Sequence, residues 1–216
     1  MGRKAKISAV VFVILALSCS NLRATIITIN LTAEVTQVDD LAGELLEGQV
    51  NVGDTITGSY TYDSTTPDSS PSETVGSYWH LSSPCGISLS VGGFVFQTDS
   101  DNVYFLVQIL NDHLGNDGYL LRSYYNLPLS NGVWVEHISW QLDDYTATAL
   151  SSTDLPTTPP VLEDWAYSPA QLGIKLGSKG YAGLYGEVTS VELVPEPGTV
   201  FLLGLGGLAL IRRGRE

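Results

Sequence analysis

The residues that could carry catalytic or metal chemistry are few in this chain of 216 residues. The three histidines, His80, His113 and His137, form no H-x-x-x-H or H-E-x-x-H spacing, and Cys85 has no identifiable partner in the sequence. The chain also lacks a G-x-S-x-G nucleophile elbow, a P-loop and a dinucleotide-binding glycine set. We therefore predict a protein that is not an enzyme and needs no cofactor.

Three pairs of adjacent carboxylates, Asp39–Asp40, Asp143–Asp144 and Glu163–Asp164, are the remaining candidates for acid–base chemistry. A glycoside hydrolase needs two carboxylates on opposite sides of a cleft, and adjacency in sequence does not provide that separation. Acidic pairs are also typical of solvated turns. We therefore interpret the three pairs as turn residues.

A loop-like segment, NDHLGNDG at residues 111–118, carries oxygen ligands that calcium prefers. Its candidate ligands are Asp112, Asn116 and Asp117. The segment lacks the D-x-[DN]-x-[DN]-G order and the closing Glu of an EF-hand. A tight turn is the favoured interpretation, with calcium binding as the weaker alternative, and no metal is assigned.

Aromatic side chains are abundant for an acidic protein, and aromatic rings can stack on sugar faces. Aromatics are also ordinary strand residues that fill a core, which is the interpretation for most of them. Trp165 and Tyr167 lie in a proline-rich stretch, so we predict that they are exposed and are the candidate glycan contacts.

The elements that must position these residues are predicted to be β-strands. Strict apolar–polar alternation runs through residues 27–35 and 103–110, and residues 133–142 place Trp134 on one face with Trp140. A turn at Gly92–Gly93 separates the strand candidates ISLSV (87–91) and FVFQT (94–98), and a turn at the NDG of residues 116–118 precedes the strand candidate YLLRSYY (119–125). Further strand candidates are residues 55–62, 78–82 and 181–193.

Eight or nine such strands favour an all-β fold, namely an antiparallel two-sheet sandwich, with a jelly roll as one arrangement of it. Residues 63–73 and 151–169, dense in Ser, Thr and Pro, are predicted to be long loops. Nothing longer than a turn or two is expected to be helical between the two termini.

The charge of this region is strongly negative. Residues 25–194 contain three Lys and Arg against 21 Asp and Glu, a net charge of −18. Such a surface repels phosphate backbones, so we predict no nucleic-acid partner.

The N-terminus has the pattern of a secretory signal peptide, residues 1–24. A basic start precedes a short apolar run, and Ala24 ends a loose small-residue cleavage site. Cys19 leaves a lipoprotein signal as an alternative. Removal of the signal leaves Cys85 as the single cysteine, so no internal disulfide is expected.

The C-terminus, VPEPGTVFLLGLGGLALIRRGRE, combines a proline-rich entry, an apolar run and a basic end. The run from Val200 to Ile211 is 12 residues, or about 18 Å as a helix, against a bilayer core of about 30 Å. It has no polar face to expose if it packed on a soluble core. A short membrane-entering signal fits these features better than an anchor or a core helix.

In this order of features the tail resembles the PEP-CTERM protein-sorting domain. The resemblance rests on Pro195, Glu196 and Pro197, the apolar run after them, and the terminal arginines Arg212, Arg213 and Arg215. It implies export by a Gram-negative bacterium that makes extracellular polysaccharide, with exosortase, a membrane cysteine transpeptidase, processing the chain near the motif. VGDTITGSYTYDSTTPDS (52–69) and LSSTDLPTTPPVL (150–162) are similar to stretches of small PEP-CTERM proteins of unassigned activity.

The predicted organisation is a signal peptide at 1–24, an exported β-domain at 25–193 and a sorting signal with a short apolar helix at 194–216. The expected function is that of a non-catalytic surface or extracellular-matrix protein, membrane-associated through its tail until processing. Its expected partners are exosortase and the secretion machinery, with extracellular polysaccharide as a further one. The alternative is a carbohydrate-binding module or a carbohydrate-active jelly-roll enzyme with the same tail.

Overall fold

Ten β-strands form one continuous antiparallel sheet in the computed structural model, which describes residues 26–40, 45–165, 171–177 and 182–195. A 3-10 helix at Leu162–Asp164 is the only helical element among these residues. The strands are β1 Ile26–Asp39, β2 Thr55–Asp63, β3 Val75–His80, β4 Gly86–Val91, β5 Phe94–Gln97, β6 Phe105–Leu110, β7 Asp117–Ser123, β8 Val135–Asp144, β9 Gln171–Leu176 and β10 Ala182–Leu193.

The sheet has the order β3-β6-β7-β8-β9-β10-β1-β2-β4-β5, with β3 and β5 at its edges. The all-β antiparallel prediction is confirmed, but the structure shows one curled sheet and no division into two sheets. The long central pair, β1 and β10, joins the two halves, and bulges between Thr32 and Ala33 and between Val35 and Gln37 interrupt its register. Bulges bend a strand and increase its twist, so continuous pairing and strong curvature occur together.

The curvature brings distant strands together around one core. The hydroxyl of Tyr119 on β7 donates to that of Tyr60 on β2 at 3.1 Å, although five strand positions separate β7 from β2. The Tyr60 ring also lies 5.7 Å from the Trp140 ring on β8. The concave side of the sheet is therefore the hydrophobic core.

Alternation predicts most of that core correctly. The odd residues of 27–35 are all buried, as are Val103, Phe105, Val107 and Ile109. The Gly92–Gly93 turn is also confirmed, since both residues have positive φ, at 57° and 81°, where glycine avoids the strain of a Cβ.

Three local predictions are wrong. Trp134 is 50% exposed because β8 begins at Val135 and a register shift between Val135 and His137 reverses the alternation. Gly118 is paired with Leu110 inside the β6–β7 ladder, so the turn lies earlier, with Asp112, Leu114 and Gly115 at positive φ. Strand β9 is missing from the predicted strands, although Leu172, Ile174 and Leu176 alternate and are buried.

Candidate functional site

The last strand, β10, leads directly into the proline motif. Strand β10 pairs with β1 as far as Leu193, which lies opposite Ile29. One residue further on, the Val194 backbone N–H donates to the Thr28 carbonyl at 2.9 Å. Pro195 follows at once and has no backbone N–H to continue the ladder. The motif therefore begins where the sheet ends, with no spacer between them.

The start of the exported region lies beside this exit. Strand β1 begins at Ile26, two residues after the predicted cleavage at Ala24, and Thr28 is the partner of Val194. The two predicted membrane-entering segments thus leave the sheet from the same end of neighbouring strands. The signal peptide itself, with Cys19, lies outside the described residues.

Of the sorting residues, Pro195 is described and is exposed. Glu196, Pro197 and the terminal arginines Arg212, Arg213 and Arg215 lie outside the described residues. Within the described part of the chain, no helix is both long enough and apolar enough to cross a bilayer.

Of the three candidate calcium ligands, Asp117 has structural partners instead, whereas the Asn116 Oδ1 atom is buried with no hydrogen-bond partner among the described residues. The Asp117 carboxylate is fully buried and accepts backbone N–H groups of Asp112 and Leu150, both at 2.8 Å. The described residues contain no group of three or more His, Cys, Asp or Glu side chains placed to hold a metal ion. Asp117 thus ties the β6–β7 loop to the loop after β8.

Asp144, opposite Asp117 in the β7–β8 register, has a similar structural role. It is buried and accepts the N–H and hydroxyl of Thr146, at 2.9 and 2.7 Å, and the N–H of Thr148 at 2.8 Å. The hydroxyl of Thr146, followed by these backbone donors, holds the pKa of the Asp144 carboxyl below its usual range. The turn interpretation of the Asp143–Asp144 pair is consistent with these contacts.

The three histidines occupy three different environments. His80 is in the core, with Nδ1 3.1 Å from the Thr66 hydroxyl, and burial lowers its pKa to about 4. The Nδ1 of His113 is 3.0 Å from the Thr74 hydroxyl in the β6–β7 loop region. His137 lies on the convex face in register with Lys175, and burial, followed by the Lys175 charge, lowers its pKa.

Cys85 is buried beside the end of β2. Burial raises the pKa of its thiol, so the reactive thiolate is disfavoured at neutral pH.

Trp165, a predicted glycan contact, is not exposed. Its side chain is 8% exposed and belongs to the hydrophobic core, immediately after the 3-10 helix Leu162–Asp164. The expectation of exposure is wrong because the proline-rich loop packs onto the sheet and uses this ring as its anchor. Its predicted partner, Tyr167, lies outside the described residues.

The structure instead shows an aromatic cluster on the convex face that alternation alone does not single out. The ring centroids of Trp79 on β3 and Tyr104, just before β6, are 4.6 Å apart and stacked. Tyr124, just after β7, lies 5.7 Å from Tyr104, and Tyr125 lies 5.3 Å from it. Tyr104 is 37% exposed.

Cationic side chains lie next to this cluster. Leu106 on β6 is the register partner of Trp79 on β3 and, on its other side, of Arg122 on β7. On the next two strands, His137 of β8 pairs with Lys175 of β9. We call this combined surface the convex strip. Its members are Trp79, Tyr104, Tyr124, Arg122, His137 and Lys175. The rarity of cations in residues 25–194 is the sequence signal that could have drawn attention to it.

Comparison with known proteins identifies the tail. The model of the PEP-CTERM protein-sorting motif matches residues 193–215. The match begins on the last residue of β10, where the sheet ends. No curated protein and no solved structure matches the chain.

The chain therefore carries a PEP-CTERM motif, which implies an exported protein of a Gram-negative bacterium that is targeted to exosortase and sorted to the cell surface. The predicted recognition is confirmed. Apart from Leu193, the last residue of β10, the match does not include any residue of the β-sheet.

Proposed function

We propose that this protein is a non-catalytic component of the cell surface or extracellular matrix, delivered through its C-terminal tail and freed from it by exosortase. The observation that carries the proposal is the PEP-CTERM match at residues 193–215. The acidic β-sheet is the part that remains outside the membrane. Its buried carboxylates and histidine serve the fold, which supports a role in display or adhesion.

The proposed processing follows from the chemistry of the tail. Proline fixes φ near −65° and disfavours helix for the residue before it, so Pro195 and Pro197 keep the motif extended. An extended backbone next to the bilayer is what a transpeptidase must reach, with Glu196 as a charged contact. The apolar run holds the tail in the membrane, and the three terminal arginines orient it by the positive-inside rule.

The position of β10 adds a requirement to this processing. Because the Val194 N–H is still paired with the Thr28 carbonyl, the enzyme meets the motif directly at the end of a central strand of the folded sheet. Access of exosortase to the peptide bond that it cleaves near the motif is proposed to require opening of the last β1–β10 pairs. Cleavage then removes the hydrophobic attachment and releases the acidic domain or transfers it to an acceptor.

The experiment replaces Pro195, Glu196 and Pro197 with alanine in a host that has exosortase. We expect the variant to accumulate uncleaved in the membrane fraction while the parent protein is shortened and leaves that fraction. Replacing Asp154, an exposed acidic residue of the β8–β9 loop, with alanine provides a matched control that should mature normally. Unchanged maturation and location of the triple variant would overturn the proposal.

A second candidate function is carbohydrate binding by the β-sheet. The observation that favours it is the exposed aromatic cluster around Tyr104, since exposed stacked rings suit sugar faces. Contact with extracellular polysaccharide, and a place in a biofilm matrix, would follow from it. The jelly-roll enzyme version of this alternative is not supported by the facing carboxylates Asp117 and Asp144, because both accept backbone N–H groups.

A further inference from the structure

The convex strip combines two kinds of recognition chemistry on one face. Aromatic rings from β3 and from the ends of β6 and β7 lie at one side, and Arg122, His137 and Lys175 lie on β7, β8 and β9. Strands in a sheet are spaced about 4.8 Å apart, so Arg122 on β7 is about 10 Å from Trp79, which is level with it on β3. Lys175 on β9 is two strands away and two residues along the strand, at about 12 Å. This reach matches a short oligomer better than a single ion.

The aromatic side of the strip is partly accessible, with Tyr104 exposed and Trp79 and Tyr124 half-buried. Trp79 lies between Tyr78 and His80, which point into the core, so its ring is on the convex face. Trp79, Tyr104 and Tyr124 contact one another in pairs, with the widest centroid separation, Trp79 to Tyr124, at 6.0 Å. An aromatic face presents negative potential and apolar area, which attract the C–H faces of a sugar ring.

The two strong cations of the strip, Arg122 and Lys175, have no ion-pair partner among the described residues. Among the described residues, neither Arg122 nor Lys175 forms an ion pair or a side-chain hydrogen bond. This is unexpected in a region with 21 Asp and Glu, where a partner would be easy to supply. Glu136 is the nearby carboxylate, and it acts on the pKa of His137 less strongly than Lys175 does.

Unpaired cations beside stacked rings suit a ligand that has both a carboxylate and a sugar face. A guanidinium binds a carboxylate through two parallel hydrogen bonds, and an ammonium binds it as a point charge. The rest of residues 25–194 is acidic, so an anionic chain is repelled elsewhere on this region. At physiological ionic strength the Debye length is about 8 Å, so a ligand on the strip is governed by the strip's own charges.

We propose that the convex strip binds an acidic polysaccharide, with sugar rings stacked on Trp79, Tyr104 and Tyr124 and uronate carboxylates held by Arg122 and Lys175. The assignment rests on the second candidate function, carbohydrate binding, and not on processing of the tail. It also replaces Trp165 as the glycan contact.

The test measures retention of the full chain, purified in detergent, on immobilised polygalacturonate, with immobilised dextran as the neutral polysaccharide. We expect binding to polygalacturonate that is weakened by raised salt, and weak or no binding to dextran. Arg122→Gln should weaken binding about tenfold, since it removes a charge-assisted contact, and Arg122→Lys should retain part of it. Tyr104→Ala should weaken binding roughly two- to tenfold.

The matched control is Tyr145→Ala, because Tyr145 is also an exposed tyrosine, 60% exposed, just after the far end of β8. It should bind as the parent does. Circular dichroism of every variant separates loss of binding from loss of fold.

The possible results distinguish a failure of the convex strip as the binding site from a failure of carbohydrate binding as the function. Polygalacturonate binding that Arg122→Gln and Tyr104→Ala leave unchanged would overturn the strip while carbohydrate binding stands. Equal retention on dextran would overturn the role of the cations. No retention on either matrix, or preferential binding to vesicles of anionic phospholipid, would overturn both the strip and the second candidate function, and would leave the sorting proposal untouched.

Discussion

Two buried carboxylates show how individual acidic residues of this chain serve the fold. Asp117 and Asp144 face each other in the β7–β8 register, and each accepts backbone N–H groups from an adjacent loop. A carboxylate that receives several donors is stabilised as an anion, in agreement with the lowered pKa of Asp144. Their oxygen atoms already accept hydrogen bonds from backbone N–H groups, so we do not assign these carboxylates as metal ligands.

Replacing Asp117 with asparagine should destabilise the protein. The amide has one acceptor oxygen where the carboxylate had two, so the N–H of Asp112 or of Leu150 loses its partner. A buried unpaired donor costs about 1–3 kcal/mol, which urea unfolding would detect. The control is Asp112→Asn, an exposed position at φ 50° that asparagine adopts readily. Equal stability of the two variants would contradict the assigned role.

His80 should make the stability of the fold depend on pH. Its pKa is lowered from 6.5 to about 4 by burial, against an opposing effect of the Asp63 charge. The unfolded chain therefore takes up a proton on this residue at a higher pH than the folded chain does. The free energy of unfolding should be largest above pH 6.5 and fall as the pH is lowered towards 4.

The measurement is the free energy of unfolding against pH for the parent and for His80→Phe. Phenylalanine is suited to the site because the His80 ring packs between Tyr62 and Phe105. The variant should show a smaller slope between pH 6.5 and 4, whatever its stability at neutral pH. An identical slope in both proteins would show that other groups cause the dependence.

At the scale of elements, tyrosine hydroxyls fasten the proline-rich loop between β8 and β9 to the sheet. Tyr62 on β2 donates to the Pro156 carbonyl and Tyr78 on β3 to the Thr153 carbonyl, both at 2.7 Å. Trp165 anchors the same loop further along. The sequence predicts a loop at residues 151–169, and the structure shows that hydrogen-bond partners 75 and 94 residues away hold it in place.

Replacing Tyr62 and Tyr78 together with phenylalanine should loosen this loop. Each lost hydrogen bond is worth about 0.5–1.5 kcal/mol, while both rings remain available to the core. Limited proteolysis should then cut within residues 151–165 faster than in the parent. The comparison variant is Tyr124→Phe, whose ring lies on the convex face; unchanged cleavage in the double variant would refute the fastening.

The junction between β10 and the motif gives a second prediction at this scale. A Gly-Ser-Gly-Ser insertion between Val194 and Pro195 should speed the appearance of the shortened protein, because the motif would no longer adjoin paired backbone. Pulse-chase labelling in an exosortase-containing host measures the rate. The same insertion between Asn131 and Gly132, in the exposed β7–β8 loop, should leave the rate unchanged. Slower or unchanged processing after the first insertion would mean that the sheet does not limit access.

The sequence predicts an element well where residues adjacent in the chain determine its structure, and poorly where contacts between distant residues determine it. Alternation locates nine of the ten strands of the described sheet and most buried positions of β1 and β6. It fails at Trp134, because a bulge reverses the facing of residues and has no signature in the alternation itself. It also cannot show that β1 pairs with β10, and that long-range pairing is what makes one sheet of two predicted ones.

At the scale of the whole molecule, sorting and surface chemistry belong to different parts of the chain. The tail motif is local in sequence, so residues 194–216 are recognisable from their own residue order, and the match at 193–215 confirms it. The convex strip joins residues from β3 to β9 and becomes visible only when the sheet is assembled. The exposure predicted for Trp165 is wrong for the same reason, because the packing of its loop against the core is equally non-local.

The central claim is that exosortase removes the tail of an exported protein, and intact mass measurement tests it most directly. The protein is expressed in matched Gram-negative hosts with and without exosortase, and its mass is determined by mass spectrometry. The account predicts loss of the apolar run and of Arg212, Arg213 and Arg215 in the host with exosortase, and their retention in the other. The same C-terminal mass in both hosts would contradict it.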